Sequence, residues 1–289
     1  MLNFFNKRIF ILFIFPFILG GITVLGFMPF NLFFLNAISL SVLFYIIFYV
    51  KKKTLSSYRK KPFLKNLFFL GSSYGFGFFL FGVYWITFSL TFDESFQFLI
   101  PFALILIPLF LSLFFSLPIV LMGYFIELKI SSIILISILF STADFLRSFI
   151  FGGFPWNLLV FSLSNNLPSL QILSYVGTYS LNLLSITIFL LPVIFFFKYK
   201  RLTKFLIFSI SLILVVINFL YGNLIIKNFE KKKYDNLSSI IRVVSPNIPI
   251  ERFLSNQDVQ RNIFELVGLS DPHDQKKIIF IYPEGIITS

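Results

Sequence analysis

The sequence predicts a multi-spanning α-helical membrane bundle of about seven spans, followed by the beginning of an α/β domain. Three observations predict it. Hydrophobic residues make up 57% of the 289 residues against 12% charged, with mean hydropathy +0.92; a soluble domain carries about a quarter charged residues. The apolar residues come in runs of about twenty, the length a helix needs to cross the hydrocarbon. The basic residues lie between those runs, where they set orientation. A single soluble core could not hide 45 Phe beside so many Leu and Ile, because such cores stop growing near ~250–300 residues.

Spans are expected near 9–26, 29–50, 66–90, 98–126, 130–150, 167–197 and 203–222. Lys7 and Arg8 precede the first. The connection at 51–65 holds Lys51, Lys52, Lys53, Arg59, Lys60, Lys61 and Lys65, and the one before the last span holds Lys198, Lys200, Arg201 and Lys204. If spans alternate, these three clusters share one side, which the positive-inside rule makes cytoplasmic. The opposite connections are uncharged at 28–31 and acidic at Asp93-Glu94. An odd number of spans then carries the C-terminal segment to the far side. Lys227, Lys231, Lys232 and Lys233 run against that orientation. Residues 1–22 could be a cleaved leader, but 20–24 show no small-x-small cleavage pattern, so a retained anchor is expected.

The net charge of +12 raises nucleic acid as a partner. Its distribution argues otherwise: residues 1–222 hold 15 Lys/Arg and 4 Asp/Glu, whereas 223–289 hold 9 and 8. The excess therefore belongs to membrane topology, and no nucleic-acid partner is expected. The chain has no cysteine, so it contains no disulfide, thiolate metal site or thiol nucleophile.

Two domains are expected, a transmembrane one over 1–223 and a second over 235–289. In the second, Ile240-Ile241-Arg242-Val243-Val244 reads as a short strand stopped by Ser245-Pro246-Asn247-Ile248-Pro249. Val259, Ile263, Phe264 and Val267 recur at helical spacing, predicting a helix over 256–268. Lys277-Ile278-Ile279-Phe280-Ile281-Tyr282 reads as a buried-type strand ended by Pro283-Glu284. A strand–helix–strand unit demands parallel strands. Two strands and one helix cannot cover both faces of a sheet, so the rest of that domain is expected to be missing.

Several stretches carry chemistry or packing signals. Gly75-Phe76-Gly77 inside a span is a helix-packing pattern rather than a nucleotide loop. Asp144 and Arg147, three apart, can pair on one helix face. Trp85, after Gly82-Val83-Tyr84, and Trp156, in Gly153-Phe154-Pro155-Trp156-Asn157, are either interfacial anchors or the lining of a lipid site. His273 lies in a polar loop and reads as solvated. Laid out in order, these stretches, with Gly177 and Asn182, Ser245 to Pro249 and Ile281-Tyr282-Pro283-Glu284, resemble the apolipoprotein N-acyltransferase family.

That resemblance implies a bundle of membrane helices with a periplasmic nitrilase-like domain, in the bacterial inner membrane. It implies an acyltransferase with a phospholipid acyl donor, a diacylglyceryl apolipoprotein acceptor, surrounding membrane lipids, and no cofactor or metal. The acyl chain would pass through a Cys thioester, with Glu as general base and Lys stabilising the oxyanion. Glu284 matches the base; Trp85, Trp156 and Asn247 are the candidate substrate-binding residues. The departures matter. No Cys is present, Lys276 and Lys277 precede the Glu-bearing strand where the family's Lys follows it, Tyr282 stands in place of Trp, and Asp144 in place of Glu. A truncated family member is the first expectation, inactive as it stands; a non-catalytic membrane scaffold or a transporter-like protein is the alternative.

Overall fold

The computed structural model describes residues 7–55, 62–150, 153–232, 240–245, 256–270 and 277–282. Among these, seven helices are long and apolar enough to cross a membrane: α1 (Lys7–Val24), α2 (Phe34–Thr54), α3 (Pro62–Thr91), α4 (Glu94–Phe125), α5 (Ile130–Arg147), α6 (Thr178–Phe196) and α7 (Arg201–Lys231). They follow the expected order. Most boundaries shift by a few residues, and two differ more. The expected sixth span is broken into short helices at Leu167–Leu170 and Leu173–Val176, and the chain turns at Gly177 before α6 begins. Gly177 has φ +77°, a backbone region that side chains disfavour. α7 runs past the expected end at residue 222, so Lys227 lies on the helix rather than beyond it.

The chain divides into two compact units, Met1–Ile86 with Pro101–Phe229, and Thr87–Ile100 with Glu230–Ser289. In the first, α3 is central: α1, α2 and α4 all pack on it, α5 packs on α4, and α6 joins α5 to α2. Tyr74, Phe78 and Phe79 of α3 and Phe140 of α5 surround the ring of Phe115, with centroids 5.2–5.8 Å apart. Lipid tails are as apolar as Leu, so helices associate through close packing and hydrogen bonds rather than through hydrophobicity. The Gly75-x-Gly77 pattern supplies the first. A Cβ at Gly77 would collide with the Phe17 carbonyl oxygen of α1, and one at Gly75 would stand 2.8 Å from Ser112 Cα of α4. Buried hydroxyls supply the second: Thr23 Oγ1 lies 2.6 Å from Ser39 Oγ and 2.9 Å from Tyr74 Oη, linking α1, α2 and α3.

Contacts at the helix ends obey the expected alternation. Arg8 donates to Asn66 Oδ1 (3.0 Å), Lys51 Nζ donates to the carbonyls of Tyr124 and Ile126 (3.1 and 3.2 Å), and the Ile130 amide donates to Tyr199 Oη (3.3 Å). The starts of α1, α3 and α5, the ends of α2 and α4, and the α6–α7 turn therefore gather at one end of the bundle. Lys51 there caps carbonyls that the end of α4 leaves without helical partners.

In the second unit, β1 (Ile240–Val243) and β2 (Ile278–Ile281) are parallel, with Ile240 opposite Ile278 and Val243 opposite Ile281. Helix α8 (Asn256–Ser270) connects them, two residues longer than expected. Arg242 donates to the carbonyl of Ser270 (2.5 Å), and Ser270 Oγ lies 2.8 Å from Tyr282 Oη, so the end of α8 is stitched to both strands. Ile241, Val243, Ile279 and Ile281 stay exposed. Ile241 pairs with Ile279 and Val243 with Ile281, so among the described residues one sheet face carries exposed apolar side chains.

Candidate functional site

Of the four candidate site residues, Trp85 and Trp156 are described; Asn247 and Glu284 lie outside the described residues. Trp85 stands where α3 tightens into 3-10 turns over Tyr84–Thr91, and its indole Nε1 donates to the Gly82 carbonyl at 3.2 Å. Trp156 lies on the loop that follows α5. The two rings meet edge to face, with centroids 5.5 Å apart and planes at 84°, a favoured arrangement for aromatic quadrupoles. Both stay 41–53% exposed.

Beneath the exposed pair is a buried polar network. Arg147 is 1% exposed. Its Nη2 reaches Asp144 Oδ1 at 2.8 Å, and its Nη1 donates to the Trp156 carbonyl at 2.7 Å. The guanidinium carbon lies 5.1 Å from the centre of the Phe79 ring, a cation–π distance. The second Asp144 oxygen accepts from Asn182 Nδ2 of α6 (2.9 Å), and Asn182 Oδ1 accepts from the Val160 amide (3.1 Å). Asp144 and Arg147 were expected to pair; the pairing also grips the loop at Trp156 and at Val160. A charge taken out of water is costly unless it is paired and hydrogen-bonded, and here Asp144 and Arg147 pair with each other and are completed by Asn182 and the Trp156 carbonyl.

The loop turns at two left-handed positions, Gly153 (φ +85°) and Asn157 (φ +58°). A Cβ at Gly153 would collide with the Ser148 carbonyl oxygen, and one at Gly82 would collide with the Asn157 amide. Gly82 lets the loop close on the end of α3, and Gly153 lets it fold back on the end of α5. A cavity of about 330 Å³ lies between Leu106, Phe110, Leu111 and Phe114 of α4 and Arg147, Gly153 and Phe154, at the lower end of the ~300–1,000 Å³ range of small-molecule pockets. Apart from Arg147, these walls are apolar and suit hydrocarbon. Among the described residues, no group of three His, Cys, Asp or Glu side chains could hold a metal ion.

The sequence reading missed Asn182 as the link between α6 and the loop, and Phe79 as the surface under the guanidinium. Asn182 stood only among the residues that carry the family resemblance, and Phe79 had no signal beyond a ring inside an apolar run.

Residues 19–191 match the family model described as the apolipoprotein N-acyltransferase N-terminal domain. The chain is similar to the apolipoprotein N-acyltransferase of Rickettsia bellii, with 31% identity over 204 residues that cover 70% of this chain and 40% of the relative. It is also similar to that of Brucella melitensis biotype 1, with 25% identity over 277 residues that cover 94% of this chain and 51% of the relative. The chain spans about half the length of the curated relatives it matches. The matched residues contain both tryptophans and the whole Asp144–Arg147–Asn182 network and make up more than half of the chain, which therefore belongs to the apolipoprotein N-acyltransferase family.

Proposed function

We propose that these residues form the lipid-facing bundle, and supply the general base, of an apolipoprotein N-acyltransferase of the bacterial inner membrane. The observation that carries this reading is the family match over 19–191, which coincides with the helices that build the tryptophan pair and its polar support. Both substrates are lipids, a phospholipid acyl donor and a diacylglyceryl-cysteine at a lipoprotein N-terminus, so the reaction belongs at a bilayer surface with a sideways opening. Trp85, Trp156 and Asn247 would contact them. The parallel β1–α8–β2 unit supports reading 235–289 as the start of a nitrilase-like domain on the periplasmic side. That side is supported by the basic connections, which gather at one end of the bundle.

In the sequence Glu284 follows Pro283, a residue type with no N–H to continue a strand ladder. It would take the proton of a thiol whose pKa of about 8.5 leaves it weakly nucleophilic near neutrality. The thiolate would attack the phospholipid ester, forming a thioester and releasing a lysophospholipid. The lipoprotein amine would then displace the thiol, giving an amide. A Lys would stabilise the oxyanion of each step. Neither the Cys nor a Lys after Glu284 is among these residues, so the 289-residue chain alone should form no thioester-linked lipid.

In a longer protein holding these residues with a downstream Lys and Cys, mass spectrometry should detect an acyl-enzyme, and Glu284→Gln should abolish it while the fold is kept. Acyl transfer by the 289-residue chain alone, or full acyl-enzyme in Glu284→Gln, would sink the reading.

A further inference from the structure

We propose that Arg147 is a positioning residue: through the Trp156 carbonyl it sets the edge-to-face Trp85–Trp156 pair that meets lipid at the end of the bundle. The pair's dependence on Arg147 is read from geometry alone; its contact with lipid rests on the function proposed above.

The geometry is specific. A loop between two helices would ordinarily hold Trp156 only through its own turns. Here one guanidinium spans two elements, with Nη2 on Asp144 of α5 and Nη1 on the Trp156 backbone. Asp144 is itself held by Asn182 of α6, and Asn182 returns to the loop at Val160. The loop is thus gripped on either side of Asn157, whose amide stands over Gly82 beneath Trp85. Phe154, two residues before Trp156, donates its amide to the Arg147 carbonyl at 2.9 Å. Arg147 therefore holds the loop with both its side chain and its backbone. Networks of this kind in a low-dielectric interior rigidify what they join. Arg147 Nε is buried with no hydrogen-bond partner among the described residues, so the residue tolerates an unmet donor in order to hold this pose.

Lys cannot replace it. A planar fork offers two nitrogens at fixed separation, whereas an ammonium is a single point. Lys at 147 could keep the charge pair with Asp144 or reach the Trp156 carbonyl, but one nitrogen cannot occupy both Nη positions.

The chain contains two tryptophans, so indole signals report on this pair. The test uses the 289-residue chain in lipid nanodiscs and measures the tryptophan exciton couplet in circular dichroism, taken as the native spectrum minus those of Trp85→Phe and Trp156→Phe. The native chain should show a couplet, and Arg147→Lys should lose most of it while helix content is unchanged. The double variant Asp144→Asn/Arg147→Met removes both charges together, which leaves no buried charge unpaired, and the new amide still offers Asn182 an oxygen. It too should stay helical and lose the couplet. A native chain without a couplet, or a folded variant with the full couplet, overturns the proposal. A separate arm uses nanodiscs of phosphatidylethanolamine and phosphatidylglycerol with brominated acyl chains. Quenched tryptophan emission supports the lipid contact; unquenched emission removes it and counts against the proposed function, while the couplet alone decides the role of Arg147.

Discussion

Helices α3 and α7 are nearly the same length, yet they stand in opposite relations to the rest of the bundle. Half of the most apolar window of α3 is buried, against 6% of that of α7, although α7 is the more hydrophobic of the two. Hydrophobicity therefore does not decide which span becomes central. α3 carries Gly71, Ser72, Ser73, Gly75 and Gly77 in two turns, so two neighbours, α1 and α4, can bring their backbones close. Along α7, Leu, Ile, Val and Phe project on every side, and Gly222 is its one glycine. In water the apolar α7 would be driven inward. In lipid that drive is absent, and only shape and hydrogen bonding select partners.

The largest expected effect concerns whether α7 crosses at all. A topology reporter fused after residue 250 should be active on the periplasmic side, and one at residue 58 should not. The same location for both would mean that α7 lies in the interface, and the contrast would then compare a span with a non-span. Lys227 and Lys231 oppose the crossing on charge grounds. The helix is about 46 Å long at 1.5 Å per residue, which leaves room for both lysines beyond ~30 Å of hydrocarbon.

Packing comes next. Gly77→Val places bulk against the Phe17 carbonyl and should destabilise the bundle by about 1–3 kcal/mol, the usual cost of overpacking, read as a fall in Tm in detergent. Ile213→Ala, on the exposed flank of α7, should change stability by no more than about 0.5 kcal/mol. Equal effects would end the distinction between the helices.

Gly222 sharpens it. A Cβ there would collide with the Pro168 carbonyl, and Asn218 nearby donates to the Ser169 carbonyl at 3.0 Å. Gly222→Ala should free this end of α7 from the Leu167–Leu170 turn, seen as faster hydrogen exchange at 167–176, and should leave the α1–α3 contact untouched. Protection unchanged at 167–176 would show that α7 is not docked there.

The smallest effect is expected at an exposed pair. Glu127 and Lys129 approach to 2.5 Å in the α4–α5 turn, and the Lys129 hydrogen bond, then its charge, holds the Glu127 carboxyl below its ordinary pKa. A depressed carboxyl stabilises the fold above its unfolded pKa, and that support is lost as pH falls through the depressed value. Glu127→Gln should therefore melt slightly below the native chain at neutral pH, and the gap should close on acidification. Exposed pairs contribute little; a large gap would contradict that view of the turn.

Much of this was legible in the residues. Seven spans, their order and the strand–helix–strand tail follow from hydrophobic period and charge placement, which are local. The break before α6 was missed although Pro168, Ser169, Gln171, Ser174 and Gly177 precede it, because 167–197 carries no charge and its mean hydropathy still reads as one span. The ion pair of Asp144 and Arg147 could be read from a spacing of three. That the same guanidinium holds the Trp156 carbonyl could not, since a backbone acceptor has no sequence signature.

What the sequence by itself determined is how many times the chain can cross, in which order, and where charge and aromatic residues fall along each span. These are properties of single helices in lipid, where each must satisfy its own backbone hydrogen bonds. Only the tertiary structure decided that α3 lies central and α7 at the margin, that Trp85 meets Trp156, and that Asn182 completes the support of the loop. Those outcomes depend on which small residues let two backbones approach and which buried donors find acceptors, and both are settled only when helices distant in sequence meet.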